Sequence, residues 1–187
     1  MRKMDTLNRR LGEEYTRLSE KYGFTIGQRK ITFLDRFRIK NRTFKVPTVK
    51  YVFPAEVRHL LSLPFIYAMI VPVVFLDICM SIYHAFAFPL YGIPYVKRSE
   101  YIVFDRKFLD YLNIVQKVNC IYCSYVNGLF AYAVEIAGRT ERYWCPIKAA
   151  RKPPVHHSWY GEFADYGNPE EWEKKFNDPK AFEKLKK

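Results

Sequence analysis

The sequence predicts a mainly α-helical, membrane-embedded protein with a short basic β element and a C-terminal helical region. Three observations lead there. From Leu60 to Val96, 37 positions, the only strongly ionisable side chains are Asp77 and His84, and a helix needs just ~20 apolar residues to cross a bilayer. Basic stretches flank this run: residues 1–59 carry 15 Lys and Arg against 6 acids, and residues 95–187 carry 16 against 12. Aromatic residues make up 18% of the chain, with 15 Tyr and 15 Phe, and tyrosine favours surfaces that are apolar on one side and wet on the other. The mean hydropathy of −0.25 averages an apolar middle with charged ends.

The 187 residues leave room for one compact domain and a membrane element. The net charge of +12 fits anionic lipid headgroups, worth ~1 kcal/mol per nearby cation. Nucleic acid would suit the charge, but no motif for it is present. The first long apolar run begins too far from Met1 for a secretory signal. Arg2 and the terminal Lys186-Lys187 match no lipidation box.

Residues 1–24 read as an amphipathic helix. Met4, Leu7, Leu11, Tyr15, Leu18 and Tyr22 recur at spacings of three and four, which places them on one face. Asp5 or Thr6 is placed to cap its start, and Gly23 follows its end. Residues 25–53 read as a basic β-hairpin-like region. Ile31, Phe33, Phe37, Ile39, Phe44 and Val46 alternate with cations, and Lys40-Asn41-Arg42 is placed to turn the hairpin.

Residues 54–96 form the membrane-embedded segment, opened by Pro54 at a first helical position and bent at Pro64 and Pro72. It ends near Pro89, Gly92 and Pro94. A helix from Leu60 to Phe88 is ~44 Å long against a hydrocarbon core of ~30 Å. One kinked, tilted span fits this length, and so does a re-entrant hairpin folded near Pro72 or Asp77. The positive-inside rule does not arbitrate, because similar numbers of cations lie on both flanks. We expect both polar parts on the cytoplasmic side. Asp77 is a functional candidate by its depth, but the favoured expectation is a partner for a buried Arg or Tyr hydroxyl.

Residues 97–187 read as a Cys-containing helical domain with a polar tail. Asp105 is placed to cap a helix from Arg106. Val118–Ala137 is apolar apart from Glu135 and long enough for a second span, although Asn119, Asn127 and Gly128 favour a helix buried in the protein, broken at Asn127-Gly128. Glu135, Arg139, Glu141 and Arg142 are placed for charge pairs at its end. Asn168-Pro169-Glu170-Glu171 is an N-cap signature for a short helix.

The one constellation with metal chemistry is Cys120-x-x-Cys123, followed by Cys145-Pro146 and then His156-His157. Residues three apart share a helix face. Thiolates suit zinc or an iron–sulfur cluster, and three Cys with one His complete a common zinc shell. Cys-Pro also occurs in iron–sulfur ligand runs. Small buried thiols or a disulfide account for the same residues. Ser124 after the second Cys excludes c-type haem attachment. Glu56-x-x-His59 is half of a di-iron carboxylate pattern with no second copy. No phosphate-binding Gly loop, serine nucleophile elbow or His-Glu-x-x-His motif is present.

Tyr91-Gly92-Ile93-Pro94, Asn119-Cys120-Ile121-Tyr122-Cys123 and Arg139-Thr140-Glu141-Arg142-Tyr143-Trp144-Cys145-Pro146-Ile147-Lys148 resemble a family of uncharacterised bacterial membrane-associated proteins. The resemblance covers about residues 60–150 and implies a bacterial origin and membrane association, without an activity; the expected location is the bacterial inner membrane. It also implies that a His often stands where this chain has Ala149, so that position is no obligatory ligand here. The functional expectation is a Cys/His metal centre beside the membrane, structural or redox, on Cys120, Cys123, Cys145 and His156 or His157. A metal-free accessory or scaffold subunit of a membrane complex is the second expectation. The third is an enzyme on a phosphorylated membrane lipid using Asp77 or Glu135.

Overall fold

The computed structural model describes residues 2–26, 31–48, 50, 56–151, 153–176, 178 and 180–185. The chain divides into two units, one made of residues 1–60 and 104–122, the other of residues 61–103 and 123–187.

The first unit opens with α1 (Arg2–Tyr22), as the three-and-four spacing predicts, although it begins before Asp5 and Thr6. Strands β1 (Phe24–Ile26) and β2 (Ile31–Phe33) pair antiparallel with Phe24 opposite Phe33, whose rings lie 5.9 Å apart. The predicted hairpin turn at Lys40-Asn41-Arg42 is overturned. Those residues lie in α2 (Asp35–Thr43), with Asp35 in its first turn and Lys40 and Arg42 in its last. Charges so placed complement the helix dipole. Phe37 and Ile39, read as alternating strand positions, belong to this helix. Arg38 Nε donates to Asp110 Oδ2 at 3.2 Å, and Asn113 Nδ2 donates to the Val46 carbonyl at 3.4 Å. Both bonds tie residues before the apolar run to residues after it.

Two helices follow with only Met69 between them, α3 (Val57–Ala68) and α4 (Ile70–Tyr91). The helix start predicted at Pro54 lies outside the described residues. Pro64 sits within α3 and Pro72 in the first turn of α4, whose missing N–H costs no helical bond there. α4 runs unbroken through Asp77, so no hairpin folds at that point. Gly92 stops it at φ 65°, a left-handed geometry that suits glycine. The Ile93 N–H returns to the Phe88 carbonyl at 3.0 Å. No residue of α3 is buried. In α4 only Val73, His84, Ala87 and Phe88 are.

The helix predicted from Arg106 is a single 3-10 turn, Arg106–Phe108, and Asp105 makes no side-chain cap. The long helix, α5 (Ile114–Trp144), starts eight residues later. Asn113 Oδ1 accepts from the Gln116 N–H, and Gln116 Oε1 accepts from the Asn113 N–H, both at 2.9 Å. This reciprocal pair satisfies two donors at the helix start. The break expected at Asn127-Gly128 is absent. Asn127 Nδ2 donates back to the Cys123 carbonyl at 2.9 Å, and Gly128 lets the backbone of Tyr101 and Ile102 approach. α5 is half right as a buried helix: Leu129, Tyr132 and Ile136 are buried, while Phe130 and Val134 are exposed.

The Asn168 signature is borne out by α6 (Pro169–Phe176), with Asn168 Oδ1 accepting from the Glu171 N–H at 3.1 Å. The core of the second unit gathers Val73 and Phe88 from α4 and Leu129, Tyr132 and Ile136 from α5. Trp159, Phe163 and Phe182 of the C-terminal segment complete it.

Among the described residues, two helical runs are long and apolar enough to cross a membrane, Val57–Tyr91 and Ile114–Trp144.

Candidate functional site

Within the second unit, α4 and α5 run in the same direction. Contacts at Asp77 with Tyr125, His84 with Tyr132 and Tyr91 with Tyr143 climb both helices together. The chain after Gly92 comes back beside them and supplies the third side of a polar seam.

At one level of the seam Arg98 reaches Asp77 with both terminal nitrogens, Nη1 to Oδ1 and Nη2 to Oδ2, the latter at 2.6 Å. The Tyr125 hydroxyl donates to Asp77 Oδ2 at 2.7 Å, and Ser81 lies 3.4 Å from Oδ1. The carboxylate thus has a partner on every side, and its hydrogen bonds to Arg98 raise the guanidinium pKa further above its ordinary value. Seven residues on, the Val96 N–H donates to His84 Nε2 at 3.0 Å. An Nε2 that accepts carries no proton, so a neutral His84 holds its proton on Nδ1 and donates it to the Tyr132 hydroxyl, 3.1 Å away.

At the next level Glu135 is a hub. Its Oε1 accepts from Arg139 Nε at 2.8 Å and Trp159 Nε1 at 3.0 Å, and its Oε2 accepts from Ser158 at 3.2 Å. Arg139 also donates to the carbonyls of Pro94 and Tyr95. The proton of Thr140 goes to the Ile136 carbonyl, so the Tyr83 hydroxyl donates to Thr140 Oγ1 at 2.9 Å. Further along, buried Arg142 donates to the Lys175 carbonyl at 2.6 Å and to Asp178 at 2.9 Å. Arg142 and Asp178 border a cavity of about 190 Å³ with Tyr91, Tyr143, Phe176 and Phe182.

Asp77 is therefore the partner of an Arg and a Tyr hydroxyl, one of the two roles its position allowed. Glu135 pairs with Arg139, as its spacing predicts. Arg98, Tyr125 and Tyr132 were not singled out by sequence. For the two tyrosines the signal was a shared spacing of seven, 77 and 84 on one helix and 125 and 132 on the other; Arg98 stands outside both helices. Both carboxylates accept from donors on more than one chain segment, and so clamp those segments together.

The expected metal ligands are placed differently. Cys120, in the first unit, and Cys123, in the second, are half-buried on α5; Cys145 is exposed, and all four cysteines are free thiols. His157 Nε2 bonds Glu141 Oε2 at 2.9 Å, and the ring packs over Gly138. His156 stacks on Tyr160 with centroids 4.9 Å apart. Among the described residues, no three His, Cys, Asp or Glu side chains stand together as a metal shell. Glu56 pairs with Arg58.

No protein-family model, curated protein or solved structure matches this chain.

Proposed function

We propose that this chain is a membrane-associated scaffold or accessory subunit, held to lipid by the apolar faces of α3 and α4. One observation carries the reading: only 6% of the most apolar window in Val57–Tyr91 is buried inside the protein. The core helix of a soluble protein passes the same test of length and hydropathy, but it is covered by its own chain. Here Phe65, Val71, Phe86 and Leu90 are each at least 70% exposed. Contiguous apolar surface of this kind is covered by lipid or by a partner. The polar seam supports the same role, because it spends its ionisable groups on rigidity. The proposed location is a bacterial inner membrane with both polar parts on the cytoplasmic side, which the resemblance and the basic charge support.

Fractionation of cells making the full chain tests this. The protein stays in the membrane pellet through a high-salt wash and leaves it in mild detergent. Recovery in the soluble fraction overturns the reading. Metal and acid-labile sulfide analysis of anaerobically purified protein separates the scaffold from a zinc or iron–sulfur centre. Near-stoichiometric metal that disappears in Cys120→Ser/Cys123→Ser replaces the scaffold with the metal centre.

A further inference from the structure

We infer that no segment of this chain crosses the bilayer, and that α3 and the outer face of α4 lie in one leaflet of an anionic membrane. This rests on the membrane association proposed above and goes on to how it is achieved.

Direction is the first argument. Two helices that run the same way cannot be consecutive spans unless the chain between them crosses back. In the second unit the returning segment is on view. Pro94 and Tyr95 sit at Arg139, Val96 at His84, and Arg98 at Asp77. Apart from the 3-10 turn Arg98–Glu100, this stretch is not helical. It carries the ion pair Lys97–Glu100, with side chains 78% and 63% exposed. A hydrocarbon slab drawn across this part of α4 would enclose both charges and irregular backbone. Lipid-exposed irregular backbone does not occur at that depth.

The first unit supplies the second argument. Arg38 bonds Asp110, and Val46 bonds Asn113. The chain therefore leaves one body in the first turn of α3 and re-enters the same body before α5. Between those points the number of crossings is even. With the charged return segment excluded as a span, that number is zero.

The faces of the helices give the third. Val71, Phe75, Ile78, Ile82, Phe86 and Leu90 are exposed at spacings of three and four, which is one continuous stripe of α4. Asp77 and His84 lie on its other side, in the seam. Such a helix lies in the interface plane with its apolar face down. Charge selects the lipid: the first unit carries 18 Lys and Arg against 8 Asp and Glu, matching anionic headgroups.

Two measurements test this. In a Cys79→Ala/Cys120→Ser/Cys123→Ser background, native Cys145 is labelled with a membrane-impermeant maleimide in sealed inverted and right-side-out vesicles. A Glu14→Cys site, made with Cys145→Ser, is labelled in parallel. Both sites are expected to react in the same vesicle orientation and to stay unlabelled in the other. Reaction from opposite faces overturns the inference while leaving membrane association intact. A soluble protein defeats that association itself. The purified full chain is also expected to float with vesicles of phosphatidylglycerol and phosphatidylethanolamine, with no other protein present. Failure to float shows that a protein partner, not lipid, covers the stripe, and overturns the proposal.

Discussion

Asp77 and Glu135 are both carboxylates in apolar helices, yet their losses differ in cost. The Glu135–Arg139 pair is almost closed to solvent, with side chains 13% and 9% exposed. Removing one member of such a pair strands the other charge, so Glu135→Ala is expected to cost about 3–5 kcal/mol of stability. Arg98 is 42% exposed and regains water when its partner goes, so Asp77→Asn costs less, about 1–3 kcal/mol. Denaturant titration in detergent measures both, and equal costs would contradict the difference in burial. Tyr101 adds a pH dependence. Burial raises its pKa above the ordinary value, with the Glu135 charge adding to it. Its contribution is complete below the unfolded tyrosine value of ~10 and is lost as pH rises toward the higher folded one. Tyr101→Phe should accordingly flatten the alkaline fall in stability relative to wild type, and an unchanged slope would remove this residue as its source.

The helices show what local sequence carries and where it stops. Leu11, Tyr15 and Tyr22 announce α1, and Asn168 with Glu171 announces α6, because a spacing or a cap is written within a few residues. Phe37 and Ile39 misled, since two apolar residues among cations satisfy a period of two as readily as a short helix. Asp105 misled too. The cap that matters is Asn113 with Gln116, and its worth depends on where the long helix must begin. Gly128 has the opposite meaning to the one its type suggests. A glycine in a helix weakens it by about 1 kcal/mol, but a Cβ here would stand 2.7 Å from the Tyr101 carbonyl oxygen. Gly128→Ala should therefore destabilise by about 1–3 kcal/mol despite alanine's helix propensity, and a stabilised variant would show that the contact yields. Asn113→Ala should cost about 0.5–2 kcal/mol through loss of the cap, read by the same denaturant titration. The seam was legible only as spacing. Asp77 and His84 are seven apart, but the partners across from them come from 21 and 48 residues away, and no local pattern reports such a pairing.

At the scale of the whole molecule, most of the net charge lies in the first unit and the α4 stripe lies in the second, so these two contributions to lipid binding are separable by mutation. The first unit holds a net +10 of the protein's +12, while the second holds the exposed stripe of α4. Each headgroup-facing cation is worth ~1 kcal/mol, and salt screens it over ~10 Å at 0.1 M. Each large apolar side chain moved from water into lipid is worth ~1.5–3 kcal/mol, and salt does not weaken it. Magnitude decides which dominates. Phe75→Ser/Phe86→Ser removes ~3–6 kcal/mol, on the order of a hundredfold or more in vesicle affinity at ~1.4 kcal/mol per factor of ten. Arg36→Gln/Lys40→Gln, both at exposed positions of α2, removes ~2 kcal/mol, a loss of about thirtyfold confined to low salt. Flotation with phosphatidylglycerol-containing vesicles, run at low and high salt, should show the serine pair impaired under both conditions and the glutamine pair impaired only at low salt. If the serine pair floats as wild type does, the α4 stripe is not the surface that enters the membrane, and the headgroup charge alone holds the protein there.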